Sequence, residues 1–202
     1  MPLTPRTVVI YAHPYNKSLC HGILEAVIRG LESSGQDYDV IDLHADGFDP
    51  RYTADELALF STGGTIDPLV KRYQELLSRA TRLIIIAPVW WSEPPATVKG
   101  FIDKVMKRTW AYDATPSGLK GRLTHIRQVL LMTTSAAPTW YLRVACGNAI
   151  PRVFLGTTLR QLGMRGRKWV NYGRVEHGGP ERRRAHLAKV ARLAATPAPG
   201  RG

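Results

Sequence analysis

The stretch RLIIIAPVWWSEPPATVKGFIDKV, residues 82–105, reads as a buried strand running directly into a helix. Leu83 to Ala87 form an unbroken apolar run, the pattern of a strand covered on both faces. A helical pattern follows over 94–108, opened by Pro94 and Pro95, since proline in a first helical turn sacrifices no backbone hydrogen bond. Between strand and helix, Trp90 and Trp91 crowd a junction that a short polar turn would satisfy. Successive side chains of extended backbone point opposite ways, so two adjacent tryptophans cannot both face the core. At least one is expected to face outward, where it can lie along a flat ligand ring.

The same alternation of strand and helix repeats on either side. TVVIYAH (7–13), YDVIDL (38–43), RQVLLMTTS (127–135) and RKWVNYGRV (167–175) read as further strands. Helical patterns fall at 18–35, where Leu19, Ile23, Val27 and Leu31 form a stripe, and at 67–80, where Asp67 is placed as cap before Pro68. A short helical piece is expected near 53–60, a largely helical segment over 138–163, and a basic closing helix over 179–195. Residues 1–195 read as one domain, and TPAPGRG (196–202) as a disordered tail. Five strands alternating with helices imply an α/β fold, a doubly wound parallel sheet with helices on both faces. Right-handed crossovers in a chain of 202 residues favour the order 2-1-3-4-5. Ligands then bind at the carboxyl ends of the strands beside the switch point, which would bring the loops after 13 and after 88 together.

Composition narrows the function classes. The N-terminal apolar run is too short for a signal peptide, and Leu83 to Trp91 is far short of the roughly 20 residues a membrane span needs. Two cysteines, Cys20 and Cys146, make neither a disulfide framework nor a metal quartet, so a cytoplasmic protein is expected. The charge is lopsided: residues 1–113 carry 12 Lys/Arg against 14 Asp/Glu, and residues 114–202 carry 16 against only Glu176 and Glu181. Such a half attracts anions, or is simply a solvated basic surface. No nucleic-acid-binding signature accompanies it, and no nucleic-acid partner is expected.

Three loops carry candidate chemistry. HPYNKSLCHG presents a helix N-terminus whose free N–H groups and dipole suit an anion, with Ser18 either capping the helix or adding a hydroxyl to a phosphate. It is neither a G-x-G-x-x-G fingerprint nor a Walker loop. The Val89–Ser92 turn offers an aromatic wall. Thr133, Thr134 and Ser135 end the fourth predicted strand with backbone N–H groups expected to be free for a ligand's polar edge, and Trp140 and Tyr141 follow. There is no H-E-x-x-H, C-x-x-C or G-x-S-x-G, so metal and serine-hydrolase chemistry lack their motifs. A phosphate cradle with an aromatic wall and no acid–base pair suggests that a cofactor performs the chemistry.

VVIYAHPYNKSLCHGILEA, APVWWSEPPATVKGFIDKV, TWAY (109–112) and LLMTTS, in that order, resemble the flavodoxin-like NAD(P)H:quinone oxidoreductases. These include the mammalian quinone reductases, bacterial drug-activity modulators and ancillary reductases of potassium-efflux systems. The resemblance implies a flavodoxin-like fold and a flavin, FMN or else FAD, with NAD(P)H as co-substrate. It places the flavin phosphate loop on His13, Ser18, Leu19 and Cys20, and the ring loop on Pro88, Val89, Trp90, Trp91 and Ser92. Donors to the flavin's pyrimidine edge fall on Thr133, Thr134, Ser135 and Ala136. Tyr141 matches a tyrosine that helps stabilise charge on the reduced ring. Departures are Cys20, where the family often has Asn, Thr-Thr-Ser-Ala in place of Thr-Thr-Gly-Gly, and CGNAIP where mammalian members carry a histidine. The implied reaction is ping-pong transfer of a hydride to a quinone or similar flat acceptor by a homodimer. A flavin-binding regulatory subunit on a membrane transporter is the second reading, and a one-electron carrier the third. The basic half also allows a preference for NADPH over NADH, through an arginine such as Arg143 or Arg174 near the 2′-phosphate.

Overall fold

The computed structural model describes residues 6–199. Its strands are β1 Arg6–Tyr11, β2 Asp37–Asp42, β3 Arg82–Pro88, β4 Tyr112–Thr115, β5 Gly118–Gly121, β6 Gln128–Thr134 and β7 Arg167–Tyr172. Its α-helices are α1 Leu19–Ser33, α2 Ala54–Ala58, α3 Pro68–Arg79, α4 Ala96–Val105, α5 Thr139–Val144 and α6 Pro180–Ala195. Five strands form a parallel sheet in the order β2-β1-β3-β6-β7, which is the expected 2-1-3-4-5 once the small β4–β5 hairpin is set aside.

The sheet's two faces follow from the period of two along each strand. Val8, Ile10, Leu83, Ile85, Val129 and Leu131 pack on one side with Tyr73 of α3, Phe101 of α4 and Phe154. Val9, Tyr11, Ile84, Ile86, Leu130 and Met132 pack on the other with Ile23 and Val27 of α1 and Val190 of α6. Every residue of β3 is buried, as the central position of the sheet requires. Each such aliphatic side chain contributes about 1.5–3 kcal/mol of burial. α1 and α6 approach closely at Gly30, where an added Cβ would lie 2.2 Å from the Ala191 carbonyl oxygen. Arg82, at the opposite end of β3 from the candidate loops, donates to the carbonyls of Ala194 (2.7 Å) and Leu193 (2.5 Å), satisfying the last turn of α6.

The structure refines the sequence expectations in detail. The helix read as 94–108 is shorter, because Pro94 still belongs to the turn and Pro95 occupies the cap position. The segment 138–163 is largely helical, as expected, but in two pieces: α5 stops before Gly147 and Asn148, both left-handed at φ 66° and 55°, and Ile150–Leu159 is wound as a π-helix. The β4–β5 hairpin falls between the helix at 94–108 and the strand at 127–135, where the sequence reading assigned no element. Of the predicted tail, residues 196–199 carry no helix or strand, and 200–202 lie outside the described residues. No helix of the described residues is long and apolar enough to cross a membrane.

Candidate functional site

The register of the parallel sheet decides which loops meet. Tyr11 aligns with Ile86, and Pro88 aligns with Thr134, so the carboxyl ends of β1, β3 and β6 share one edge. The loops 12–18, 89–95 and 135–138 therefore stand side by side, as the switch-point rule requires. All predicted site residues lie on these three loops, the adjoining strand ends, or the first turns of α1 and α5.

The first wall is the turn into α1. Ser18 caps the helix, its Oγ accepting from His21 N–H at 3.2 Å. The N–H groups of Leu19 and Cys20 take part in no hydrogen bond among the described residues, as expected of the first turn of a 15-residue helix. His13 Nδ1 accepts from Tyr15 N–H at 3.1 Å, which fixes the loop's bend. Burial, with His44 nearby, holds the His13 imidazole below its ordinary pKa. Cys20 sends its thiol inward. It is 1% exposed, and its Sγ lies 3.3 Å from Thr134 Oγ1. Only its backbone N–H is offered to the crevice. Burial pushes the thiol up to about 11, so it stays protonated. On the neighbouring strand end the Tyr11 hydroxyl is buried with no partner among the described residues.

The second wall is a four-residue reversal. Trp90 N–H donates to the Glu93 carbonyl at 2.9 Å, and Glu93 N–H returns to the Trp90 carbonyl at 3.1 Å. The two residues between them, Trp91 and Ser92, both have positive φ, 50° and 68°. This is the pattern of a type I′ turn, which ordinarily takes Asn or Gly. Holding two non-glycine residues there costs on the order of 1–3 kcal/mol each. The result is that Trp91 is 100% exposed and Trp90 is 50% exposed. Both tryptophans face outward, because β3 ends at Pro88 and its alternation no longer applies. The stem is tied down by Val89 N–H donating to the Thr134 carbonyl at 2.7 Å.

The third wall differs from its sequence reading. Thr133 and Thr134 lie within β6, paired to Ala87 and Pro88 on one side and to Asn171 and Tyr172 on the other. Ser135 N–H donates to the Tyr172 carbonyl at 3.0 Å. These groups are not a row of free donors, because the sheet continues to β7 beyond β6. In this loop the N–H groups of Ala136, one of the expected donors, and Ala137, both just past the ladder, take part in no hydrogen bond among the described residues. Their loop is held by Asn171, which sequence reasoning missed. Its Oδ1 accepts from Thr133 Oγ1 (2.7 Å), and its Nδ2 donates to Ser135 Oγ (2.8 Å) and Thr139 Oγ1 (2.9 Å). Ser135 Oγ in turn donates to the Ala137 carbonyl at 2.7 Å, and Trp169 Nε1 donates to Thr133 Oγ1 at 2.8 Å. Trp140 and Tyr141 follow on α5, edge to face with centroids 5.9 Å apart, and both are exposed.

The arrangement offers a helix N-terminus for an anion, an exposed indole beside it, and two free N–H groups opposite. It contains no metal-binding cluster of His, Cys, Asp or Glu among the described residues. These parts fit a phosphorylated planar group such as a flavin. The unpartnered Tyr11 hydroxyl and the free first-turn N–H groups supply polar partners at one end, and the flat apolar surface of Trp91 lies at the other.

Comparison with known proteins supports the fold. Residues 5–196 match a family model described as flavodoxin-like fold. The NAD(P)H dehydrogenase [quinone] 1 of Cavia porcellus is 28% identical over 153 residues, which is 67% of this chain and 55% of that relative. With two further curated relatives included, the match spans 55–66% of the relatives' own lengths. The NAD(P)H:quinone oxidoreductase from Methanothermobacter marburgensis superimposes with a TM-score of 0.85 at 25% identity, covering 95% of this chain and 96% of that one. An FMN-dependent NADH-azoreductase from Bacillus anthracis, solved with FMN, shares the fold at a TM-score of 0.73 and 17% identity, covering 95% and 97% of the two chains.

Proposed function

The chain belongs to the flavodoxin-like fold family, and from that premise we propose that it is a flavin-dependent reductase, oxidising NAD(P)H and reducing a quinone or similar flat aromatic acceptor. The balance is one hydride from NAD(P)H and one proton from solvent per acceptor, giving NAD(P)+ and a hydroquinone. A bound flavin, FMN in this reading, would supply the hydride-accepting ring that no side chain of the site provides.

The observation that carries the proposal is the meeting, at one sheet edge, of an uncommitted helix N-terminus with a tryptophan held outward on a strained turn. The first turn of α1 and the Ser18 hydroxyl hold the phosphate, with roughly 0.3–2 kcal/mol from the helix dipole. Trp91, with Trp90 behind it, walls the ring and keeps water from that face. Ala136 and Ala137 present N–H groups to the ring's polar edge, where preorganised donors stabilise negative charge. Tyr141, exposed on α5, is assigned to the same charge from the open side of the slot. Sequence resemblance and the activities for which the matched proteins are named support the assignment of substrate class. The exposed aromatic surface formed by Trp90, Trp91, Trp140 and Tyr141 supports a second copy of the chain closing the slot.

The test is the absorbance spectrum of the purified protein. Flavin bands are expected, bleached by NADPH under nitrogen and restored by a quinone. Protein that neither retains nor rebinds a flavin ends this reading.

A further inference from the structure

Away from the three loops, Arg143, Pro151, Leu155, Gly156, Arg167 and Trp169 line a separate cavity of about 220 Å³. It lies between α5, the π-wound segment and β7, and shares none of its lining with the predicted flavin loops. Two arginines in one small cavity call for a counter-charge. No carboxylate is within ion-pairing distance of Arg143, Arg152, Arg160 or Arg167 among the described residues. The only acidic residues after position 113 are Glu176 and Glu181.

The geometry also preorganises the charge. The Arg143 guanidinium lies over the Trp169 ring, 5.2 Å from its centroid, so the side chain is braced by a cation–π contact. Its N–H groups make no hydrogen bond among the described residues and stay available as a fork. Trp169 is itself fixed by its bond to Thr133. Arg167 is half-buried and spends one N–H on the Met164 carbonyl, leaving the remainder of its fork uncommitted. Burial, together with the charge of Arg160, disfavours the Arg167 cation and leaves it short of an anion. The third side is formed by the π-helical turn, a winding rare in proteins and frequent at binding sites. Pro151 and Leu155 there give the cavity an apolar wall.

We propose that this cavity is a binding site for a phosphate monoester, its phosphate held between Arg143 and Arg167 and its organic part against Pro151 and Leu155. A planar guanidinium fork matches phosphate oxygens in pairs, and the apolar wall selects an ester over the bare ion. The site does not depend on the flavin reading.

The probe is phenyl phosphate, titrated by calorimetry at constant ionic strength, with inorganic phosphate in parallel. Saturable binding is expected, tighter for the ester. Arg143→Gln, at an exposed position, is expected to weaken it about tenfold with the melting temperature unchanged, the effect of losing one charge-assisted contact. Arg167→Lys is expected to weaken it as well. Arg152→Gln, an exposed arginine of the same segment outside the cavity, is expected to leave it unchanged. Undiminished binding in Arg143→Gln overturns the proposal, because the phosphate then sits elsewhere. Equal weakening by Arg152→Gln overturns it in favour of diffuse attraction to the basic surface. Equal affinity for phosphate and its phenyl ester overturns the assignment to an ester.

Discussion

The Cys20 thiol lies 3.3 Å from the Thr134 hydroxyl, a contact that clips the first turn of α1 to the end of β6. It joins two of the three walls of the candidate site and takes the side chain of Cys20 out of the crevice. Because burial holds that thiol at about 11, little thiolate exists near neutrality. Iodoacetamide at pH 8 is expected to label the partly exposed Cys146 at least about a hundredfold faster than Cys20, followed by peptide mass analysis. Comparable native-state rates would place the thiol in the open.

Trp91 contributes almost nothing to the core, being 100% exposed. Trp91→Ala should therefore shift the unfolding free energy by less than about 0.5 kcal/mol. Flavin retention and quinone turnover should nevertheless fall by about tenfold or more, since one wall is removed. Ser92→Gly should stabilise the protein by about 0.5–1 kcal/mol by relieving positive φ, while loosening the wall and weakening flavin binding. Denaturant titrations paired with flavin dissociation constants separate the two effects, and parallel losses in Trp91→Ala would contradict them.

Asn171 serves three partners, so replacing it with Leu leaves Ser135 and Thr139 without their donor. A loss of about 2–3 kcal/mol is expected, the cost of unsatisfied buried polar groups. Asn171→Asp retains an acceptor but loses both donors and adds a charge, which should lower the flavin midpoint potential as well. An unchanged potential in the Asp variant would show that Asn171 does not position the Ala136–Ala137 donors.

The connection before α3 is pinned by a buried pair, Glu56 and Lys107, at 2.8 Å and at 3% and 1% side-chain exposure. Burial alone would raise the Glu56 carboxyl. Hydrogen bonds from Lys107, Thr65 and Ile66 outweigh it and hold the group at about 2. Lys107→Met strands that carboxylate and should cost about 3–5 kcal/mol, more than the double variant Glu56→Gln/Lys107→Met. Denaturant midpoints check this, and additive losses would deny the coupling.

His186 stands edge-on to Tyr172, with ring centroids 5.0 Å apart. Burial, reinforced by Lys189 and Arg182, lowers its pKa to about 4. Between its ordinary 6.5 and 4 the unfolded chain binds a proton that the folded chain refuses, so stability falls as pH drops through that interval. The Glu56 contribution is lost lower, from about 4.5 down to 2, so the two windows are largely separate. His186→Phe should flatten the pH 4.5–6.5 slope of the melting temperature, apart from a residue due to His13. An identical slope in that variant would assign the dependence to other groups.

Much of the fold was legible because its strands are apolar β-branched runs too short to be helices. The five strands of the parallel sheet, their pairing and the edge where loops meet followed from alternation and handedness alone, while the β4–β5 hairpin escaped. Local chemistry also read true at Ser18 and Asp67, whose side chains accept from N–H groups of the helices they cap. The two outward tryptophans were half legible: the expectation of one came from strand alternation, and the turn delivered both.

What the sequence could not carry is whatever depends on distant partners. The roles of Asn171 and Cys20 come from contacts 32 to 114 residues away, which no window along the chain contains. Of the expected donors of the third wall, Thr133, Thr134 and Ser135 are committed and only Ala136 stays free, joined by Ala137, because β7 pairs beside β6, a fact of the assembled sheet. The π-winding of Ile150–Leu159 escapes a search for helical period, since it shifts the apolar face by a residue per turn. In VVIYAH and LIIIAP, then, local pattern determined where the candidate site would form. Only the packed sheet decided which atoms that site would offer, because hydrogen-bond commitment is settled by neighbours in space.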